Sequence, residues 1–256
     1  MPYSDWVSLK IFNGKSMSNP WFRFKHFTIY QERSGMKVGT DGVLLGAWVD
    51  VTKAKKILDV GTGTGLIALM LAQRSRALVT AIEPSSGSYE EARQNFMNAP
   101  WVDRLVAIQT SFQDYVYEAC QEKIQFELVV SNPPYYKNSK KSPDRARTTA
   151  RHNMGLSFLD IVSGCSRILS KNGRLAVIYP SVDYEYLVDI ARSYHFFPVR
   201  VLKVIPKPGR PEKRVLIEFR RTSEPLQVSS LTIETGGRHQ YSEEYKKLTR
   251  DFYLGF

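Results

Sequence analysis

"KKILDVGTGTGLIALMLAQRS", residues 55–75, decides the fold. The apolar pair Ile57-Leu58 runs into an acid, Asp59, and the chain then passes Gly61, Gly63 and Gly65 before a helical stretch begins. Glycines between a strand and a helix permit a tight turn and let a ligand approach the backbone where a Cβ would clash. The spacing is D-x-G-x-G-x-G, not the G-x-G-x-x-G that cradles a pyrophosphate, so a ligand here need not carry one. A turn needed only to pack a helix on a strand is the plain alternative.

The pattern continues outward. "ALVTAIEP" (77–84), "RLVAIQTS" (104–111), "QFELVVSNPPY" (125–135) and "RLAVIYP" (174–180) read as strands. "SYEEARQNFMNA" (88–99), "QDYVYEACQ" (113–121) and "YEYLVDIARSYHF" (184–196) read as helices, as does "FLDIVSGCSRILSKNG" (158–173), closed by a glycine stop. Strands alternating with helices of this length predict an α/β fold with a doubly wound, mainly parallel sheet. "VRVLKVIP" (199–206) and "RVLIEFRR" (214–221), joined by the basic loop "KPGRPEK", predict an antiparallel hairpin at its end. Upstream, "DGVLLGAWV" (41–49) predicts a short buried helix, and "WFRFKHFTIYQ" (21–31) a strand or the start of a hairpin. Residues 1–20 lack periodicity and are expected to form a flexible tail, leaving 21–256 as one domain.

Composition narrows the class. The 256 residues carry Lys+Arg 36 against Asp+Glu 25, a net charge of +11 with a pI near 9.6. That excess favours polyanions, chiefly nucleic acid, over a surface that is merely basic and soluble. No apolar run reaches the roughly 20 residues of a membrane span, and the start of the chain lacks the charged-then-apolar pattern of a secretory signal. Cys120 and Cys165 are the only cysteines, too few for a disulfide framework or a cysteine-built metal site. A cytoplasmic protein without membrane or metal is expected.

Glu83 closes the second strand of the pattern, placed to accept hydrogen bonds from both hydroxyls of a ribose. The glycine loop and Glu83 together resemble the S-adenosylmethionine site of class I methyltransferases, a variant of the Rossmann plan. The resemblance implies that Asp59 sits near the cofactor's methionine amino group and that Glu83 holds the ribose. Relatives carry an acid just after the third strand, where this chain has Ser111 and Phe112 with Asp114 beyond. Asp114, or backbone groups at Ser111 and Phe112, could form the adenine pocket.

"NPPY", Asn132 to Tyr135, then ends the fourth strand. In such folds ligands bind beyond the carboxyl ends of the strands, which puts Asn132 at the edge of the cofactor cleft. An exocyclic amine on a planar group is a poor nucleophile because its lone pair is delocalised. The Asn132 side-chain oxygen and the Pro133 carbonyl can accept its N–H groups, and Pro133 and Pro134 restrict the backbone that carries both. Tyr135 offers a face on which a flipped base can stack. The motif resembles the [DNS]-P-P-[YFW] signature of methyltransferases acting on planar amino groups. The plain alternative is a Pro-Pro turn with Tyr135 merely packing.

"RSGMKVGTDGVLLGAW" (33–48), "ARH" (150–152), "KRVLIEF" (213–219) and the closing "YSEEYKKLTRDFYL" extend the likeness over nearly the whole chain. Together they resemble the bacterial tRNA adenine-N6 methyltransferases that modify the purine beside the anticodon of a valine tRNA. That resemblance implies S-adenosylmethionine as cofactor, tRNA as partner and a cap over the cofactor from Lys37, Thr40 and Asp41. Helix capping by Asp41 and a solvated Lys37 are the plain alternatives. Lys137, Lys140, Lys141, Arg145, Arg147 and Arg151 follow NPPY directly and are candidates for phosphate contact, as are Lys203, Lys207, Arg210, Lys213 and Arg214 around the late hairpin. A monomer is expected. Glutamine-N5 methylation of a release factor and guanine-N2 methylation of rRNA use the same motif order. The former family carries a longer helical N-terminal domain, and this chain is markedly basic, so tRNA adenine is favoured.

Overall fold

The computed structural model describes residues 19–133, 156–237 and 239–256. A small antiparallel hairpin comes first, β1 (Trp21–Arg23) against β2 (Thr28–Tyr30), followed by the buried helix α1 (Thr40–Trp48). Strands and helices then alternate: β3 (Lys56–Val60), α2 (Leu66–Arg74), β4 (Leu78–Ile82), α3 (Ser86–Met97), β5 (Leu105–Ile108), α4 (Phe112–Gln121) and β6 (Phe126–Ser131). After residue 155 come α5 (Phe158–Ile168), β7 (Leu169–Pro180), α6 (Tyr184–Ser193), β8 (Phe197–Ile205), β9 (Arg214–Arg220), β10 (Gln227–Thr232) and α7 (Glu243–Thr249).

Eight of these strands form one sheet in the order β10-β8-β9-β7-β6-β3-β4-β5. From β7 to β5 every pairing is parallel, with β3 at the centre between β6 and β4. Side chains of a strand alternate between the two faces of its sheet. Accordingly Ile57, Leu128, Val130, Ala176 and Ile178 pack on one side, with α1 and α2. Leu58, Val60, Val129, Leu175 and Val177 pack on the other, with α4, α5 and α6. A sheet covered on both faces explains why its strands read as continuous apolar runs.

The late hairpin forms as expected: β8 and β9 are antiparallel, with Val201 opposite Ile217, and β9 runs antiparallel to β7. It does not end the sheet. β10 lies parallel to β8 beyond it, with Gln227 paired to Arg200. Four of its six residues are exposed and only Leu231 is buried, so an edge strand this polar leaves little apolar signal. A second difference lies at the end of α5. The helix opens with a reciprocal Ser157–Asp160 capping box but stops at Ile168, before the expected glycine stop at Gly173. Leu169 is 2 % exposed and pairs with Phe126 of β6, so its burial against the sheet outweighs another helical turn. Gly173 serves a close approach instead, since a Cβ there would lie 3.0 Å from the Phe126 carbonyl oxygen.

Charges are buried where the hairpin joins the sheet. Glu218, 2 % exposed, receives Arg200 Nη2 and Arg220 Nη2, each at 3.1 Å. Arg174, 6 % exposed, bonds Asp50 Oδ2 at 2.6 Å and stands 3.9 Å from Glu218. Removing one partner of such a group strands the others without compensation, at a cost of about 3 kcal/mol or more. Glu218→Ala is therefore expected to lower the free energy of unfolding by that amount, seen as a lower urea midpoint with an unchanged m-value. A loss below about 1 kcal/mol would show that water replaces the carboxylate without penalty.

Candidate functional site

The site is built where β3 ends. Gly61, Gly63 and Gly65 adopt φ of +71°, +56° and +84°, the left-handed region that only glycine enters without strain. The backbone N–H groups of Gly61 and Thr62 donate to the Ile82 carbonyl at 3.0 and 3.1 Å, which stitches the loop to the end of β4. Gly65 starts α2, and a Cβ on it would fall 2.5 Å from the ring of Phe96. Its absence of a side chain is a packing requirement of α3, whereas Gly61 and Gly63 face the cleft.

Asp59 lies beneath this loop with no exposed surface. Its Oδ2 accepts from Thr62 Oγ1 at 2.6 Å and from the Ala68 backbone N–H at 3.1 Å. Its Oδ1 is buried without a hydrogen-bond partner among the described residues. Burial pushes the carboxyl up to about 7 against the pull of the Thr62 and Ala68 bonds, and nearby Glu83 adds to the rise. Glu83, one residue past β4, uses Oε2 to accept from the Gly63 N–H and Oε1 to accept from the Ser85 N–H, each at 3.0 Å. A carboxylate has about four lone-pair sites, so both oxygens keep capacity for a ligand.

A segment ahead of α1 roofs the loop, held by polar residues of α3. Glu91, 3 % exposed, accepts the backbone N–H groups of Arg33 and Ser34 at 3.0 and 2.9 Å. Asn95 accepts from the Tyr30 N–H and donates to the carbonyls of Tyr30 and Thr64. Gln31 accepts from the Val38 N–H at 2.8 Å, closing the turn that leads into α1. None of these residues was singled out by sequence reasoning. A signal was present: Ser88, Glu91 and Asn95 fall on one face of a helix that also carries Ala92 and Phe96.

Between roof and loop lies a cleft of about 390 Å³. Of the expected site residues it gathers Lys37, Thr40, Asp41, Gly61, Gly63, Asn132 and Pro133, from three separate parts of the chain. Asp59, Gly65 and Glu83 support the loop from outside this lining. Asp41 does not cap α1, whose first turn begins after Gly39 without a side-chain cap; its Oδ2 pairs with Arg214 Nε at 2.7 Å. Ser111, Phe112 and Asp114 stand apart from the lining. Ser111 caps α4, accepting from the Asp114 N–H and donating to its carboxylate, while the Phe112 side chain is core, 4 % exposed. The first-turn N–H groups of α4 remain the donors that a helix start offers a ligand. Pro134, Tyr135, Lys137, Lys140, Lys141, Arg145, Arg147 and Arg151 lie outside the described residues, as do residues 1–18 of the expected tail. Around the hairpin, Lys203 pairs with Glu212 at 3.3 Å, Lys207 with Glu234 at 3.2 Å and Arg214 with Asp41, so these three are engaged within the protein.

The model of the Methyltransferase small domain family matches residues 34–193, the stretch that contains roof, loop and Asn132. Along 238 residues, 93% of this chain and 99% of the other, the sequence is 45% identical to the tRNA1(Val) (adenine(37)-N6)-methyltransferase of Bacteroides fragilis. Bearers of the same name from Parabacteroides distasonis and Trichodesmium erythraeum are each 46% identical, over 93% and 94% of this chain and 99% and 100% of theirs. The chain belongs to this methyltransferase family. Among solved structures, a predicted O-methyltransferase from Agrobacterium tumefaciens superposes with a TM-score of 0.65 at 21% identity, covering 83% of this chain and 96% of its own, which shows the shared fold.

The methyltransferase fits S-adenosylmethionine on its own geometry. Side-chain-free positions at Gly61 and Gly63 leave the floor of the cleft open, and the unpaired Oδ1 of Asp59 is an acceptor awaiting a donor. Among the described residues no helix is long and apolar enough to cross a membrane, and no His, Cys, Asp and Glu group could hold a metal ion.

The raised carboxyl of Asp59 carries a pH signature. Folding raises its pKa from 3.8 to about 7, so the folded state binds the extra proton between those values. Its contribution is complete below pH 3.8 and declines as pH rises through about 7. In the cofactor-free protein, Asp59→Asn should remove that decline, and comparison of urea unfolding at pH 5 and pH 8 measures it. Parallel profiles for the two proteins would mean that Asp59 does not take up the proton.

Proposed function

We propose that the protein uses S-adenosylmethionine to methylate the exocyclic N6 amine of an adenine in the anticodon loop of tRNA, next to the anticodon of a valine tRNA. The observation that carries this reading is the convergence of Asn132 and Pro133, at the end of β6, with Gly61 and Gly63 in one cleft. The activity for which the relatives are named and the basic excess point the same way. They do not favour a release-factor glutamine or an rRNA guanine. Such an enzyme works in the cytoplasm, where tRNA is modified.

S-adenosylmethionine, when bound, supplies an electrophilic methyl group on its sulfonium. Lys37, Thr40 and Asp41 close over it from the roof, and Asp59 Oδ1 and Glu83 present acceptors for its ammonium and ribose hydroxyls. Asn132 Oδ1 accepts one N–H of the target amine and the Pro133 carbonyl the other, drawing the nitrogen toward the pyramidal form whose lone pair can attack. Both oxygens are weak bases, so the proton displaced from nitrogen passes to water. These acceptors act on the charge that develops during transfer, which is where a hydrogen bond changes rate rather than affinity. Pro134 and Tyr135 complete the motif, with the Tyr135 ring as the stacking face, and the lysines and arginines from 137 to 151 hold phosphates.

Asn132→Ala should lower turnover by about two orders of magnitude with little change in cofactor affinity, since it removes one such acceptor. Single-turnover kinetics within about threefold of the parent would remove Asn132 from the chemistry. For the target, protein incubated with labelled cofactor and tRNA lacking the modification should yield N6-methyladenosine on nucleoside analysis. N2-methylguanosine, or label on glutamine of a release factor, would overturn the proposed substrate while leaving the cofactor site intact.

A further inference from the structure

Beside the cofactor cleft lies a second cavity of about 460 Å³, and the turn at Gly39 and Thr40 is a wall common to both. Its other walls come from β1, from Tyr241 ahead of α7 and from the residues after α7, with Phe22 and Arg23 from the first and Tyr253 and Phe256 from the last. The rings touch one another. Tyr253 lies 6.1 Å from Phe22 and 5.4 Å from Phe256, edge to face, and Tyr241 lies 5.2 Å from Phe256. All four are partly exposed, so they leave ring surface open, and Tyr241 is backed by a stacked, fully buried Tyr245 at 5.0 Å.

We propose that this cavity is a subsite for an unpaired nucleobase adjacent to the target adenine in the RNA chain. The proposal rests on the RNA reading above and adds to it where the neighbouring nucleotide goes. With the target base at Asn132, the chain must continue past the rim of the cleft. The Gly39–Thr40 turn is that rim on one side, and glycine at its edge keeps the barrier low. On its far side every base finds aromatic surface, because each has a π-face. Arg23 stands exposed at the same wall, where a guanidinium can meet the intervening phosphate or lie along a base. The tyrosine hydroxyls are turned to other partners: Tyr241 Oη is 3.1 Å from His239 Nδ1, and Tyr253 Oη is 3.4 Å from Tyr245 Oη. What the cavity offers is therefore stacking rather than hydrogen-bond readout. It selects for a base that is unpaired and tolerates its identity.

The test uses anticodon stem-loop RNAs in which the nucleotide on either side of the target is replaced by an abasic one. With the unaltered enzyme, one of the two replacements should lower kcat/KM roughly tenfold or more, whereas exchanging purine for pyrimidine there should change it by less than about threefold. Tyr253→Leu should slow the intact RNA and abolish the difference between intact and abasic RNA, with calorimetric affinity for S-adenosylmethionine unchanged as the check on folding. Arg23→Gln, on the exposed wall, is the second variant and should raise KM for RNA while leaving kcat unchanged. If both abasic RNAs react within about threefold of the intact one and still yield N6-methyladenosine, the subsite is overturned and the proposed function stands. If intact RNA yields no N6-methyladenosine, the function falls and the subsite with it.

Discussion

A carboxylate removed from water at the end of the central strand organises this molecule. Asp59 could avoid the cost of burial only by finding donors, and it finds them within the glycine loop, at Thr62, and beyond it, at the first turn of α2. Those two bonds dictate how tightly the chain must turn between β3 and the helix. The turn in turn demands left-handed φ at three glycines, and it leaves the backbone of Gly61 and Gly63 facing the cleft. A neutral residue at position 59 would fill the space without requiring the turn. One oxygen left over is the part of the constraint that serves a ligand instead of the fold.

The cleft has two halves with different physical origins. Its floor is backbone, set by the glycine loop and locked by Glu83 across to Ser85. Its roof is a segment with almost no regular structure, held by side chains of α3 that spend their hydrogen bonds on other residues' backbone. Glu91 and Asn95 do for residues 30–34 what a neighbouring strand would do elsewhere: they satisfy N–H and C=O groups that a buried loop cannot leave bare. Asn132 and Pro133 enter between the halves because β6 neighbours β3 in the sheet and ends at the same edge.

Much of this was legible in residues 55–75 and their echoes along the chain. The glycine loop, the alternation of strands and helices, and Asn-Pro-Pro at a strand end are local patterns, so order in sequence was enough to place them. The details that escaped depend on partners distant in sequence. β10 is polar and gains its identity only from β8, while the end of α5 is set by the pull of Phe126 on Leu169. Helix capping, the alternative reading of Asp41, gives way once Arg214 is seen beside it. The cap that the Ser111 hydroxyl forms with Asp114 is, by contrast, local, and is visible in the sequence only as three-residue spacing.

The hairpin that leads into the roof depends on residues more than 200 positions further along the chain. α1 packs against α7, the Lys25 N–H bonds the Phe252 carbonyl, and the Lys25 ammonium reaches the carbonyls of Arg250 and Phe256. The hairpin of residues 21–30 is therefore made well before the late residues that anchor its turn. The central strands can pair first, since β3 and β4 need only the helix between them, but docking of the early segment waits for contacts more than 200 residues away. A growing chain thus has its glycine loop, and the α3 side chains that hold residues 30–34, before that hairpin is anchored. What arrives late is the wall of the second cavity, where Tyr253 meets Phe22 and Phe256.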